Sequence, residues 1–243
     1  MKTLLLTLLL ATLPAWADVN ADFAAANKLY QQGNFAKAAA GYEQLAQAGL
    51  VSPGLQFNLG NARLKAGSEG RALAAYRQAQ RLAPRDADLR ANLQFARTRV
   101  TDNASLHPTT LQNAFAWLTL NEWLTLAGLA VAAWLTLLAA REWRANWRPK
   151  FSGATKLAGF ASALLLLAAI AAWWLNDSEP AAVIIANEAA VRSGPLDDAT
   201  TVFTLKDGVE LAVTATREDW LQVRDAQNRL GWIKREAAQL ISP

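Results

Sequence analysis

Two stretches of this 243-residue chain constrain its fold more than anything else in it. Between Glu122 and Arg141 lie eighteen residues without a charge, WLTLAGLAVAAWLTLLAA, and between Lys156 and Asp177 lie twenty, LAGFASALLLLAAIAAWWLN. At about 1.5 Å per residue as helices they measure roughly 27 and 30 Å, the thickness of a bilayer's hydrocarbon core. The alternative, two helices buried in a protein core, needs a larger surrounding fold than 243 residues supply. Trp117, Trp123, Trp143, Trp147, Trp173 and Trp174 cluster at the ends of the two runs, as an interfacial aromatic belt requires. Spanning helices are therefore expected over 117–142 and 157–175. Gly128 with Ala132 and Gly159 with Ala163 offer small faces on which the two could pack as a hairpin. Neither run carries an ionisable group, which argues against an ion or proton pathway.

The net charge of +4 suggests nucleic acid only until it is placed along the chain. Residues 18–104 carry eleven Lys/Arg against seven Asp/Glu, and residues 176–243 carry seven against eleven, so these regions cancel. The excess sits at Arg141, Arg144, Arg148, Lys150 and Lys156, opposed only by Glu142. A short basic loop between apolar segments is a topology signal. It places 143–156 in the cytoplasm and both flanking regions outside it, and no nucleic-acid partner is expected. Residues 1–17, MKTLLLTLLLATLPAWA, agree: Lys2, a short apolar run and Ala15-Trp16-Ala17 make a signal peptide with cleavage before Asp18. An uncleaved anchor is the other reading, disfavoured by an apolar run of only about ten residues against roughly 20 for a span.

Residues 18–100 repeat themselves. Gly33 and Gly67, Ala38 and Ala72, Tyr42 and Tyr76, and Asn58 and Asn92 are each 34 apart, the period of a helix-turn-helix unit. The glycines suit turns with positive φ. Gly60 and Ala72 fit a close helix crossing flanked by Leu64 and Tyr76. The stretch over 22–99 resembles tetratricopeptide repeats: two repeats plus a capping helix. Glu69 departs from the aromatic that Phe35 supplies in the first unit, and Gly49 to Gly54 suggest a loose inter-repeat turn. The resemblance implies a concave groove for extended peptides, with Asn27, Tyr30, Asn58, Asn61, Lys65 and Asn92 as its residues. An asparagine offers both a donor and an acceptor to a backbone amide. Asn58 and Asn92 could equally stitch helix to helix. The lysines of a carboxylate clamp are mostly missing, so capture of a peptide C-terminus is not expected. A linker is read over 101–116.

After Pro180 the texture becomes short apolar alternations broken by Ser193-Gly194-Pro195, Asp207-Gly208 and Gly231, which predicts a small all-β barrel over 180–243. Strands are expected at 182–185, 202–205, 209–213, 220–223 and 231–233. The order VRSGP, DG, DWLQVR, LGWIK resembles a bacterial SH3-like (SH3b) domain, carried by Val191 to Pro195, Gly208, Trp220, Val223, Gly231 and Trp232. Arg192, Trp220 and Trp232 are its candidate ligand residues. The two tryptophans could instead fill the core of so small a barrel, and Arg192 could pair with Asp197 or Asp198.

Signal peptide, repeats, linker, two-helix hairpin and SH3b tail, in that order, resemble the BatE-type proteins of bacterial aerotolerance operons, most sharply through NLGNARLKAG and RLAPRDADLRANLQFAR. The resemblance implies envelope partners: membrane proteins with von Willebrand A domains and a MoxR-type ATPase system. With no cysteine and a lone His107 beside Pro108 in the linker, thiol chemistry and multi-histidine metal sites are excluded. No cofactor, metal or catalytic set is expected. The expectation is a multi-domain membrane protein that acts as an interaction scaffold, with a peptidoglycan-binding wall sensor as the competing function.

Overall fold

The computed structural model describes residues 13–100, 110–143, 145–177 and 181–241. Most of the leader read over 1–17, His107, Arg144 and most of the linker lie outside them. The chain forms two compact units: one combines the N-terminal helices with residues 181–241, and the other holds residues 110–177.

Five helices open the first unit: α1 (Leu13–Gln31), α2 (Phe35–Gln47), α3 (Pro53–Lys65), α4 (Glu69–Leu82) and α5 (Ala87–Arg99). Gly33, Gly49 and Gly67 each follow a helix with φ of 77°, 91° and 80°. Around each, the glycine N–H and the next N–H bond back to carbonyls of the last turn, for example Gly67 N to Leu64 O at 3.2 Å and Ser68 N to Arg63 O at 2.9 Å. This closure needs a residue free of Cβ strain. The inter-repeat turn is correspondingly tight, contrary to the loose turn expected between Gly49 and Gly54. Past Gly49, Ser52 caps α3 by accepting from Leu55 N at 3.1 Å, and Pro53 occupies the first helical position.

Two apolar clusters line the helices. One joins α1, α2 and α3 through Ala26, Ala38, Tyr42, Leu45, Leu55 and Leu59. The other joins α4 and α5 through Ala72, Leu73, Tyr76, Leu89, Leu93 and Ala96. A Cβ on Gly60 would stand 2.6 Å from the Tyr76 ring, so the close crossing read from Gly60 is real. Arg63, 7% exposed on α3, pairs with Glu43 of α2. Burial, and secondarily the Arg71 charge, pull its guanidinium down to about 10.

Residues 181–241 make seven antiparallel strands: β1 (Ala181–Ile184), β2 (Glu188–Arg192), β3 (Thr201–Lys206), β4 (Glu210–Arg217), β5 (Trp220–Arg224), β6 (Leu230–Lys234) and β7 (Ala238–Ile241). They hydrogen-bond in the order β3-β2-β6-β5-β4-β1-β7. All seven contribute to one apolar cluster, including Ile184, Val191, Leu205, Leu211, Leu221, Val223, Ile233 and Ala238, so the sheet curls around a core of its own. The sequence reading missed β2 and β7. Their runs, EAAVR and AQLI, are short and small-residued; β2 pairs with the neighbouring β3, and β7 with the distant β1.

The β-domain and the helices share a core. Val183 of β1 and Ile241 of β7 belong to the α4–α5 cluster, together with Val100 at the end of α5. Asp207, in the turn between β3 and β4, accepts from Gly70 N in the first turn of α4 at 3.1 Å, so the β-domain supplies a carboxylate to that helix N-terminus. A Cβ on Gly70 would meet Ile184 O at 2.1 Å and Asp207 Oδ1 at 2.2 Å.

In the second unit α6 (Thr110–Phe115) precedes α7 (Leu120–Trp143), a 3-10 turn (Ala145–Trp147) and α8 (Arg148–Asp177). The basic loop read over 143–156 is thus mostly helical. Pro149 is tolerated because it falls in the first turn of α8. Glu142 engages Arg148 at 2.7 Å and Arg141 at 3.5 Å. Both α7 and α8 are long and apolar enough to cross a membrane, and only 6% and 17% of their most apolar windows are buried, against the mostly buried helix of a soluble core. Ala127, Thr155, Ser162, Ala169 and Ala172 are buried. Gly159 lies against the Trp134 indole, where a Cβ would come to 2.9 Å of Nε1. Of the two small-residue faces expected, Gly159 is therefore in contact, whereas Gly128 has nothing within 4 Å and both alanines are exposed.

Gly54 and Gly70 occupy equivalent second positions of α3 and α4, and only Gly70 faces an obstacle. Gly54→Ala is expected to stabilise by up to about 1 kcal/mol through helix propensity, and Gly70→Ala to destabilise by about 1–3 kcal/mol through overpacking. Urea denaturation of both variants measures the difference.

Candidate functional site

The helical groove is built from one triad used twice. In the first copy the Tyr42 hydroxyl donates to Asn27 Oδ1 at 2.6 Å and Asn58 Nδ2 approaches the same oxygen at 3.4 Å. In the second, Tyr76 donates to Asn61 Oδ1 at 2.7 Å and Asn92 Nδ2 donates to it at 3.0 Å. The three pairs, 27 with 61, 42 with 76 and 58 with 92, all keep the 34-residue register. Each central asparagine sits on the first helix of a unit, its tyrosine on the second helix and its amide partner on the first helix of the next.

These contacts fix the polarity of the amides. With Oδ1 accepting from a phenol and a second amide, the triads leave the Nδ2 donors of Asn27 and Asn61 and the carbonyl oxygens of Asn58 and Asn92 unused. A pocket of about 100 Å³ opens beside the first triad, lined by Asn27, Tyr30, Gln31, Tyr42, Asn58 and Asn61. The structure thus assembles five of the six residues read for the groove around the two triads. Lys65 stands apart at the exposed end of α3. The stitching role weighed for Asn58 and Asn92 is observed, and it coexists with the pocket.

Burial raises the pKa of both triad phenols above the usual tyrosine value, with the Tyr30 phenol as a lesser cause. The shift at Tyr76 is the larger, which fits a side chain fully covered by Gly60, Phe57 and the α4–α5 cluster.

On the β-domain, Leu221, Val223 and Ile233 point into the core, so Trp220 and Trp232 fall on the opposite face of β5 and β6. They are nonetheless only 9% exposed. Lys234 lies over the Trp220 ring and Arg217 over Trp232, each cation 5.8 Å from the ring centroid. Arg192 is the direct strand partner of Trp232. The three residues read as a ligand surface therefore share one face, on which the two tryptophans are themselves buried. Arg192 does not pair with Asp197 or Asp198: its Nη1 donates to Ala199 O at 2.8 Å, while Asp197 pairs with Lys234 at 2.8 Å. The Lys234 hydrogen bond, then its charge, hold the Asp197 carboxyl below the usual range.

Sequence reasoning missed the ion cluster between the two domains. Glu210, 2% exposed on β4, accepts from Arg97 Nε at 2.7 Å and Arg97 Nη2 at 3.1 Å, and pairs with Arg77 Nε at 3.1 Å. Burial pulls the Arg77 guanidinium below its usual value against the opposing pull of Glu210. The available signals were a carboxylate flanked by Val209 and Leu211 in an apolar strand, and a glycine at position 70 where the first unit has Ala36.

The β-domain belongs to the class of small antiparallel β modules that curl around a core of their own. Residues 186–238, which take in β2 to β6, match the bacterial SH3 domain family and form such a domain. The structure adds β1 before the matched region and completes β7 after it. No curated protein matches the chain.

Stability is expected to fall as pH rises above about 10. A raised folded-state pKa means that the unfolded chain loses its phenolic protons first, so the stabilisation present below the unfolded value drains away as pH climbs toward the folded one. Tyrosinate absorbance should lag behind that of unfolded protein, and Tyr76→Phe should remove the larger part of the lag.

Proposed function

We propose that the protein is a membrane-anchored, non-catalytic interaction scaffold of the bacterial envelope. In this reading the N-terminal helices act as a tetratricopeptide-type peptide groove, α7 and α8 form a membrane hairpin, and the groove and the bacterial SH3 domain work together on the exported side. The observation that carries it is the doubled Tyr–Asn–Asn triad beside a pocket, a set of amide donors and acceptors suited to a peptide backbone rather than to bond breaking. A further support is the core shared by the helices and the β-domain, which fits a chain that leaves and returns on the same side of a membrane crossed by α7 and α8. The partners this implies, by resemblance to BatE-type proteins, are membrane proteins with von Willebrand A domains and their MoxR-type ATPase system. Anchoring one rigid module beside them raises its effective concentration for partners in the same bilayer.

A second reading rests on the bacterial SH3 domain, since such domains often bind cell wall. There the outer face with Arg192, Trp220 and Trp232 contacts peptidoglycan, and the groove reports occupancy.

The topology is open to direct test because the chain has no cysteine. In intact spheroplasts a membrane-impermeant maleimide is expected to label Gln47→Cys and Ala226→Cys but not Asn146→Cys; labelling of Asn146→Cys alone would reverse the orientation. A photo-crosslinker placed at Gln31 in living cells is expected to trap an envelope membrane protein, and Asn27→Ala with Asn61→Ala to cut that yield at least tenfold. An undiminished yield removes the groove from the function. Sedimentation of the full chain with purified wall, lost in Arg192→Ala, would favour the second reading.

A further inference from the structure

Glu210 grips both helices that hold the second triad. Arg77 follows Tyr76 directly on α4, and Arg97 lies on α5 with Asn92 one and a half turns before it. The bidentate fork from Arg97 and the contact from Arg77 meet on one carboxylate that is 2% exposed. A fork of this kind fixes direction as well as distance, which a single point charge does not. From the same two helices, Tyr76 and Asn92 converge on Asn61 Oδ1. The separation of α4 from α5 is thus set twice, once by Glu210 at the β-domain and once by Asn61 in the groove. The amide contact is 3.0 Å in this triad and 3.4 Å in the first, which has no β-domain behind it.

We propose that Glu210 is a positioning residue for the groove: by holding Arg77 and Arg97 it sets the distance between Tyr76 and Asn92, and with it the orientation of the Asn61 amide that faces a bound peptide. Asp207, fixed to Gly70 N, pins the start of α4 and makes Glu210 act at a defined point along that helix. The β-domain and the groove are then one device, and any displacement of β4 changes the second triad while leaving the first alone. This rests on the reading of the groove as a peptide site only for its consequence, since the linkage itself concerns groups within the free protein.

The test uses the full chain in detergent micelles, with asparagine and arginine 15N-labelled and no ligand present. In Glu210→Gln, the Asn61 and Asn92 side-chain amide signals are expected to shift and broaden, and those of Asn27 and Asn58 to stay in place. Arg97→Lys, which keeps the charge but loses the fork and leaves the β core untouched, is expected to give the same pattern to a smaller extent. The arginine Nε signals report independently that the cluster has opened. Unmoved Asn61 and Asn92 signals with the cluster open would overturn the proposal, and so would equal shifts in both triads, the signature of general loosening. Either result is independent of whether a peptide binds.

Discussion

A carboxylate buried between two guanidinium groups is the contact on which the first unit depends. Removing Glu210 from water is costly, and its attraction to Arg77 and Arg97 repays that cost only with good geometry. The bidentate fork supplies it. What such a cluster contributes here is register more than stability: apolar contacts among Val183, Ile241, Leu89 and Leu93 would tolerate sliding, whereas a fork on a fixed strand does not. Gly70 against Ile184 and Asp207 removes the remaining freedom by bringing backbone to backbone. Two repeats and one further helix fall short of the three or so units that usually bury a continuous core. The bacterial SH3 domain covers the side of the array that would otherwise be left open.

Much of this architecture was legible in the residues. The period of 34 fixed which side chains would be equivalent, and Gly33 and Gly67 marked turns whose positive φ the structure shows. Uncharged runs located α7 and α8 because nothing else in the chain is as long and apolar. Tryptophan pairs and glycine turns located β5 and β6. The failures have physical causes. Strands β2 and β7 are short runs whose composition carries little alternation, and β7 draws its partner, β1, from far along the chain. The basic residues over 143–156 read as loop because their charge alone was weighed, while α8 already begins at Arg148 and tolerates Pro149 in its first turn. No local pattern announces that Glu210 will meet Arg97, 113 residues away.

The candidate sites divide in the same way. The equivalence of Tyr42 with Tyr76 and of Asn58 with Asn92 followed from spacing, but their convergence on Asn27 and Asn61 did not, because it depends on which donors reach each Oδ1 in the folded chain. On the β-domain the alternation of Leu221, Val223 and Ile233 with the two indoles places Trp220 and Trp232 outside the core. They are nonetheless buried there, with Lys234 and Arg217 near the rings, an arrangement that sequence alone could not assign.

The separations of 113 and 137 residues across the domain contact also set a timetable for biogenesis. At a ribosome speed of roughly 5–20 residues per second, α5 emerges about 6–23 s before the strand that covers it. During that interval Leu89, Leu93 and Val100 have no β-domain to shelter them, and the apolar pair α7 and α8 must be delivered to its own surroundings. The nascent chain is therefore most vulnerable to aggregation between its helices and its final strands, the stage at which a chaperone would have to act.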